Sequence, residues 1–340
     1  MSVTRPGAAD DPPLVSVVIP THQRRASVER ALRALSRQTL APRDYEVIVA
    51  IDGSTDGTRE LVKSLDTAYR VRALSKPRGG RASACNAGLR VANGRVVVLL
   101  DDDMEASPAL LSAHADTHRG GETLGVVGAV PISVDAASSP LTRYVASRFN
   151  GHLRNLAAPG YQFALRDFYS GNFSALRETL ARVGGFDESF TAYGNEDLDL
   201  SVRLRGAGVR LVFSPEAIAH QHYEKDFPAL ARDEMEKGRT AVQLATKHPA
   251  WRGELKLSQR DRGPILRRAG RDAFLAISNA WPAATKHVVR GIAKLGERNA
   301  PGLRHVYPVM LDYLYWLGVR SAERDSASAG SHTAAQATGR

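Results

Sequence analysis

Three groups of polar side chains follow apolar runs in the first third of the chain. Asp101-Asp102-Asp103 follows RVVVLL, Asp52 follows EVIVAI, and Pro20-Thr21-His22 follows LVSVVI. Side chains alternate along an extended chain, so Asp101 and Asp103 can point the same way and repel each other. A hard divalent cation relieves that repulsion and also binds phosphate oxygens. The groups therefore indicate metal-assisted binding of a nucleotide; the alternative is a solvated turn whose aspartates cap the next helix.

Two further groups lie later in the chain. Asn195-Glu196-Asp197 opens a predicted helix, where a carboxylate suits either helix capping or removal of a proton from a substrate hydroxyl. His220-Gln221-His222 follows a strand-like segment, and alternation places both imidazoles on one face. Imidazole is a common metal ligand, although a lone histidine is more often structural. The first group supplies candidates for a general base and the second a candidate metal ligand.

Short β-branched runs alternate with helical segments over the first hundred positions. The predicted strands are Leu14–Ile19, Glu46–Ile51, Tyr69–Leu74 and Arg95–Leu100, and the predicted helices include Ser27–Gln38 and Arg81–Ala92. This alternation predicts an α/β fold with a mostly parallel sheet and helices on both faces. Ligands of such sheets bind beyond the carboxyl ends of the strands, where the polar groups lie. The first turn has no G-x-G-x-x-G, which removes the best support for a nicotinamide dinucleotide.

The second half of the chain has a less regular pattern. Leu124–Val134 is strand-like, Asn195–Gly206 is predicted to be helical, and residues 138–167 have a mixed character typical of a loop or lid. We expect a flexible leader over 1–13, an α/β domain over 14–223, a helical region over 224–325 and a disordered Ser/Ala/Gly-rich tail over 326–340.

Positive charge is concentrated at the end of the chain. The formal net charge is +10, and the residues from Ala250 onward hold 15 Lys and Arg against 7 Asp and Glu. A nearly neutral body with a basic appendage argues against a nucleic-acid binder that wraps its ligand along its length. The single cysteine, Cys85, excludes an intrachain disulfide or cysteine-based zinc site and is expected in the core.

Membrane-related signals are weak. Met1 to Pro13 lacks the apolar stretch of a signal peptide, and the longest apolar run, Ala273–Thr285, is shorter than the roughly 20 residues of a membrane span. Lys286, Arg290, Lys294 and Arg298 recur every fourth residue opposite an apolar stripe. On a helix, this spacing predicts either contact with an anionic membrane surface or ordinary packing against the rest of the protein with the charged face in solvent. We expect a cytoplasmic protein, either soluble or peripheral on the cytoplasmic face of the membrane.

Longer motifs join these groups into a resemblance. The segments VSVVIPTHQR, YEVIVAIDGSTDGT, KPRGGRASACNAGLRVANGRVVVLLDDD and SGNFSALRETLARVGGFDESFTAYGNEDLDLSVRLRGAG occur in that order between Leu14 and Tyr223. Together they resemble the family-2 glycosyltransferases, an inverting group with the GT-A fold, a Rossmann-like nucleotide-binding sheet. The resemblance implies transfer of a sugar from a nucleoside-diphosphate sugar to an acceptor hydroxyl on a glycan, a lipid-linked molecule or another glycoconjugate, with Mg²⁺ or Mn²⁺ as cofactor.

The resemblance also implies roles for individual residues. The donor-binding set is Pro20, Thr21, Asp52, Arg81, Asp101 and Asp102. The metal-binding set is Asp101, Asp103 and His220, with His222 as second choice for the histidine. Asp197, paired with Glu196, is implied as the catalytic base, and Gly171-Asn172 is a weaker candidate for the acceptor site.

Two other functions remain open at this point. A nucleotidyltransferase acting on a sugar phosphate shares the architecture and the metal carboxylates, and it would release pyrophosphate where a glycosyltransferase releases a nucleoside diphosphate. A non-catalytic, membrane-associated assembly protein would keep the fold, but it has no need of a base at Asp197.

Overall fold

The computed structural model describes residues 12–337 of the chain, with side chains as far as residue 327. The described chain divides into two compact units. Of the described residues, unit 1 comprises 12–130, Tyr169–Glu188 and Arg203–Gln221, and unit 2 comprises Pro131–Phe168, Ser189–Val202 and 222–337. Most of the predicted leader, residues 1–11, lies outside the described residues.

Unit 1 is built on one eight-stranded sheet. Its strands are β1 (Val15–Thr21), β2 (Tyr45–Asp52), β3 (Arg70–Lys76), β4 (Val96–Leu100), β5 (Met104–Ala106), β6 (Leu124–Ala129), β7 (Asn172–Leu176) and β8 (Arg210–Gln221). The strand order is β3-β2-β1-β4-β7-β6-β8-β5. β1, β2, β3 and β4 pair in parallel, as do β6 and β8, whereas β7 is antiparallel to both of its neighbours and β5 to β8. The predicted α/β sheet is therefore confirmed, with antiparallel pairs on one side.

Helices follow the strands in chain order. They are α1 (Arg25–Leu35), α2 (Thr58–Ser64), α3 (Gly80–Val91), α4 (Leu110–Thr117), α5 (Pro140–Leu156), α6 (Arg177–Arg182), α7 (Glu196–Gly206), α8 (Phe227–Lys247), α9 (Ile265–Ala280), α10 (Ala284–Glu297) and α11 (Leu303–Ala337). The first four and α6 belong to unit 1, and α5 and α8–α11 belong to unit 2. Every residue of β1 and β2 is buried, so both faces of this part of the sheet are covered.

Helix α3 lies unusually close to the sheet. A Cβ atom at Gly88 would come within 2.3 Å of a methyl group of Val18, so only glycine permits this approach. Asn86, two residues earlier, donates to the Phe186 carbonyl oxygen and accepts from the Phe186 amide, both at 2.8 Å. These contacts hold the second half of α3 in place and so position the helix, whose first turn lies beside the carboxyl ends of the strands.

The sheet opens between β1 and β4 at its carboxyl edge. Backbone pairing of these strands runs only from Val15–Val96 to Val18–Leu99, while β1 continues to pair with β2 as far as Thr21. Proline has no backbone N–H to donate. Pro20 therefore lies in a part of β1 that has no hydrogen-bonded partner in β4. The chain winds away from β1 in both directions, so this opening is the switch point at which ligands of open α/β sheets bind.

Unit 2 is a cluster of helices whose tightest crossing depends on two glycines. A Cβ atom at Gly238 of α8 would lie 2.0 Å from the Tyr315 carbonyl oxygen, and one at Gly318 of α11 would lie 1.9 Å from that of Met235. Around this crossing the helices bury an aromatic and aliphatic core that includes Tyr307, Tyr313 and Trp316. Among the described residues, no helix is long and apolar enough to cross a membrane.

The structure differs from the predicted organisation in three places. Residues 138–167 contain the 17-residue helix α5, whose first turn is capped by Ser139 and begins with Pro140. Residues 326–337 continue α11, because an alanine-rich segment extends a helix that has already nucleated; residues 338–340 are not described. Segments 131–168 and 189–202 pack with the C-terminal helices, so unit 2 begins well before residue 224.

Two buried histidines, one in α4 and one directly after it, form a hydrogen-bonded chain with β7. His114 lies 2.9 Å from Asn172 Oδ1 and 2.8 Å from Ser174 Oγ, and His118 lies 2.9 Å from the same hydroxyl. Burial lowers the pKa of both histidines from 6.5 to about 4. Each is therefore neutral in the folded protein at neutral pH.

Acidification should destabilise the fold through these histidines. Because both folded-state pKa values lie below that of an unfolded chain, the unfolded state binds more protons between about pH 4 and 6.5. We expect the free energy of unfolding to decrease as the pH is lowered from about 6.5 to about 4. The decrease is up to about 1.4 kcal/mol per pH unit for each histidine. Urea unfolding at a series of pH values measures this slope.

The matched comparison uses glutamine, which retains hydrogen bonding but does not titrate. His114→Gln/His118→Gln should flatten the slope, while His305→Gln, at an exposed histidine, should leave it unchanged. An equal slope in the wild type and the double variant would contradict the assignment.

Candidate active site

The opening between β1 and β4 is spanned by a side-chain hydrogen bond. Thr21 Oγ1, at the end of β1, donates to Asp102 Oδ2, just beyond β4, at 2.7 Å. Arg24 lies 3.4 Å from the other oxygen of Asp102 and 3.8 Å from Asp103. Burial raises the pKa of Asp102 to about 7, although Arg24 and Thr21 act in the opposite direction. Asp102 therefore anchors the ends of the two strands.

The carboxylate of Asp52, at the end of β2, is held by three donors. Lys76 Nζ and the Gly79 amide donate to Oδ1, each at 2.8 Å, and the Gly80 amide donates to Oδ2 at 2.9 Å. Burial acts to raise the pKa of Asp52, but these hydrogen bonds outweigh it and lower the pKa below its ordinary value. Asp52 is thus an ionised acceptor in a fixed orientation at this edge of the sheet.

Asp101 faces the first turn of α3. Arg81 donates to Asp101 Oδ1 from Nε at 3.2 Å and from Nη2 at 2.7 Å, and its Nη1 donates to Ser170 at 3.0 Å. A Cβ atom at Gly171 would lie 2.5 Å from Asp101 Oδ2, so glycine leaves the space that this carboxylate occupies. Two of the predicted donor-binding residues, Arg81 and Asp101, are therefore brought together.

Gln221, and not His220, reaches the acidic group from β8. Gln221 Nε2 donates to Asp103 Oδ2 at 3.3 Å. His220 is exposed and pairs across the strands with Glu105. The structure therefore brings Asp101, Asp102 and Asp103 together at the end of β4 but does not show His220 joining them. His222, the second choice, follows directly after β8.

The carboxylate oxygens of this site suit a hard cation that binds together with the substrate. Asp101 and Asp103 supply carboxylate oxygens, and no cluster of three or more His, Cys, Asp or Glu residues among positions 12–327 is arranged to hold a metal alone. Magnesium is commonly bound through one or two carboxylates together with substrate phosphates and water. The residues present fit that mode of binding, and they do not form an all-protein cage.

The predicted base lies in unit 2, at the start of α7. Asn195 has a positive φ of 67°, and its side-chain amide donates to the Lys237 carbonyl oxygen and to Thr240. Glu196 is buried, Asp197 is partly exposed, and Asp197 Oδ1 accepts from the Leu198 amide at 2.8 Å. The turn before α7 is thus anchored to α8, which fixes the position of Asp197 within unit 2.

Asp199, two residues further on, has a structural role. It is buried and lies 2.7 Å from His248 Nε2. Asn172, predicted as a weak acceptor-site candidate, is also structural: it is fully buried and donates to the Ala129 and Ala217 carbonyl oxygens. That prediction fails because Asn172 is an interior position of the sheet.

Sequence reasoning missed four residues of the site. They are Arg24, Lys76, Ser170 and Gln221. Lys76 had a visible signal, since it lies two residues after the predicted strand Tyr69–Leu74 and the other site residues also follow predicted strands. Arg24 and Gln221 contact carboxylates, and Ser170 contacts Arg81, all distant in the sequence, so spacing alone gives no indication of them.

Comparison with known proteins indicates the family of this chain. Residues 16–183 match the model of glycosyl transferase family 2, and residues 151–225 match that described as the N-terminal domain of galactosyltransferase. Fold and sequence together define a glycosyltransferase domain of the GT-A type. The chain belongs to the family-2 glycosyltransferases.

Individual relatives share part of their length with this chain. A validoxylamine A glucosyltransferase from Streptomyces hygroscopicus subsp. limoneus is 35% identical over 236 residues, covering 62% of this chain and 52% of that protein. A pre-mycofactocin glycosyltransferase from Mycobacterium tuberculosis is 30% identical, covering 69% of this chain and 48% of that protein. The chain thus spans about half the length of these curated relatives.

A solved structure supports the fold. It is a mannosyltransferase from Pyrobaculum calidifontis in complex with GDP-Man and Mn²⁺, with a TM-score of 0.61 and 21% sequence identity. The match covers 93% of this chain and 88% of that one.

Replacing Gly171 by alanine should disturb the site locally. The added methyl group would overlap Asp101 Oδ2 and push the carboxylate out of its contact with Arg81. We expect affinity for a nucleoside diphosphate in the presence of Mn²⁺ to fall about tenfold, with a stability loss of about 1–3 kcal/mol. Titration calorimetry and thermal unfolding measure the two effects.

Gly120→Ala is the matched control, since a Cβ atom there meets nothing within 4 Å. Gly120→Ala should change neither the affinity for the nucleoside diphosphate nor the stability of the protein. Undiminished nucleotide affinity in Gly171→Ala would show that the position of Asp101 is unimportant for binding.

Proposed function

We propose that this protein is an inverting, metal-dependent glycosyltransferase. It moves a sugar from a nucleoside-diphosphate sugar to an acceptor hydroxyl, with Asp197 as general base. The observation that carries the proposal is the set of buried carboxylates at the switch point between β1 and β4, in a chain of the family-2 glycosyltransferases.

The donor nucleotide is assigned to the ends of β1 and β2. Asp52 is an ionised acceptor: Oδ1 already accepts two N–H groups, whereas Oδ2 accepts one and keeps a lone pair that can accept an N–H of the base. Pro20 and Thr21 shape the neighbouring strand end. Arg81, at the start of α3, brings positive charge beside Asp101, where a diphosphate would otherwise be repelled.

Asp101 and Asp103 are assigned as the protein ligands of Mg²⁺ or Mn²⁺. When bound, the metal neutralises negative charge on the leaving diphosphate. Arg24 partly balances the carboxylates before a ligand arrives. His220 is retained only as a weaker candidate, because Gln221 makes the contact with Asp103. Glu196, buried beside Asp197, is assigned a supporting role.

The reaction needs one displacement. The acceptor oxygen forms a bond to the anomeric carbon as the bond from that carbon to the diphosphate oxygen breaks, and Asp197 takes the acceptor hydroxyl proton. The electron pair of the broken bond leaves with the nucleoside diphosphate. A single displacement inverts the anomeric configuration. The relatives' names point to glucose or mannose donors for those proteins, and the sugar used here is not assigned.

A membrane surface is proposed as a partner of the C-terminal helices. Lys286, Arg290 and Lys294 are exposed on α10, and Arg298 caps its end. Val288, Val289 and Ile292 face the helical core, whereas Leu295 is exposed. An exposed cationic row beside exposed apolar side chains suits an anionic lipid surface and would bring the enzyme to a lipid-linked acceptor.

Asp197→Asn should abolish transfer while leaving the donor bound. The amide cannot accept the hydroxyl proton, so we expect turnover to fall at least about a hundredfold, with little change in donor affinity. Released nucleoside diphosphate and the anomeric configuration of the product are measured by NMR. Pyrophosphate as product would identify a nucleotidyltransferase instead.

Asp199→Asn separates catalysis from helix structure. Because Asp199 is buried against His248, this variant should lose stability. Asp197→Asn should unfold at nearly the wild-type temperature. Near-normal turnover in Asp197→Asn, or an equal loss of stability in both variants, would leave Asp197 as a capping residue only.

Asp103→Ala should remove the metal dependence of nucleotide binding. We expect Mn²⁺ to strengthen nucleoside-diphosphate binding at least about tenfold in the wild type and to have almost no effect in the variant. Glu105→Ala removes a nearby carboxylate that contacts Arg37, and it should behave as the wild type. Calorimetry with Mn²⁺ and with a chelator checks the difference, and a metal effect unchanged by Asp103→Ala would overturn the assignment.

A further inference from the structure

A cavity of about 840 Å³ lies within unit 2, among α8, α9, α10 and α11. Its walls are mainly apolar and include Ala231, Met235, Leu275, Val289 and Leu317. A volume of this size is typical of sites for small organic ligands. None of the residues assigned above to sugar transfer lines it.

The cavity carries an unusual concentration of positive charge. Its cationic lining residues are Arg232, Lys286, Arg290, Arg320 and Arg324. The one acidic lining residue, Asp325, lies 3.0 Å from Arg239, which is outside the lining. Arg324 donates to Asn279 at 3.2 Å. The cavity therefore combines apolar walls with a net excess of cations.

The polar groups in the walls are already satisfied. Ser278 and Thr285 lie 3.2 Å apart, and both hydroxyls hydrogen-bond to the hydroxyl of Tyr313. An uncharged polar ligand would gain little from groups that already have partners. The apolar walls favour binding of the apolar part of a ligand, and the cationic side chains favour binding of an anionic group on the same ligand.

We propose that this cavity binds a small amphiphile with one alkyl chain and a phosphate head. The chain would lie against the apolar walls, where its burial is favourable in proportion to its area. The phosphate would lie among the arginine and lysine side chains, since guanidinium groups donate paired hydrogen bonds to phosphate oxygens. The proposal goes beyond the sugar transfer described above and does not depend on it.

Calorimetry of the full-length chain tests the site with alkyl phosphates held below their micelle-forming concentration. We expect one decyl phosphate to bind per chain, and affinity to rise several-fold with each two methylene groups from hexyl to decyl phosphate. Inorganic phosphate has no alkyl chain, and decyl maltoside has a neutral head group. Each should bind at least about tenfold more weakly than decyl phosphate. Equal affinity for inorganic phosphate would overturn the amphiphile in favour of a simple anion site.

Two double variants of α10 provide a matched comparison. All four residues are exposed, but Lys286→Glu/Arg290→Glu reverses two charges that line the cavity, whereas Lys294→Glu/Arg298→Glu reverses two that do not. Both change the net charge equally. The first should weaken decyl phosphate binding at least about tenfold, and the second less than about threefold. Equal weakening in both variants, or no binding by the wild type, would overturn the proposal.

Discussion

The hydrogen bond between Thr21 and Asp102 joins β1 to β4 beyond the point where their backbones separate. Both side chains are buried, so neither group can exchange the other for water without cost. The separation provides space at the carboxyl edge of the sheet, and the hydrogen bond keeps the two strand ends at a fixed distance. Asp101 and Asp103 flank Asp102 in the chain and extend from the same strand end.

Concentrated negative charge is the main energetic problem of that edge. Each carboxylate is stabilised by different partners: Asp52 by three hydrogen-bond donors, Asp101 by Arg81, and Asp102 by Arg24 and Thr21. These partners come from strand ends, loops and the first turn of α3, which are the segments that meet at a switch point. A site preorganised in this way needs little rearrangement when a charged ligand enters.

The sequence predicts the sheet and the placement of its acidic residues because both follow from local patterns. Buried β-branched runs specify β1, β2 and β4, and the polar residues after them necessarily lie at one edge. Partners such as Gln221, 118 positions from Asp103, depend on the order of strands that no local pattern encodes. Helix α5 had a detectable start at Ser139-Pro140, but its mixed composition hid the amphipathic face.

The glycines at the crossing of α8 and α11 have a consequence for how the helical unit tolerates change. Each glycine faces a carbonyl oxygen of the other helix, so the backbones themselves are in contact. The spacing of α8 and α11, which form two of the cavity's walls, is then set by contact between their main chains. Charged lining residues on these two walls can then be exchanged without changing the spacing of the two backbones. Selectivity can therefore evolve there independently of shape.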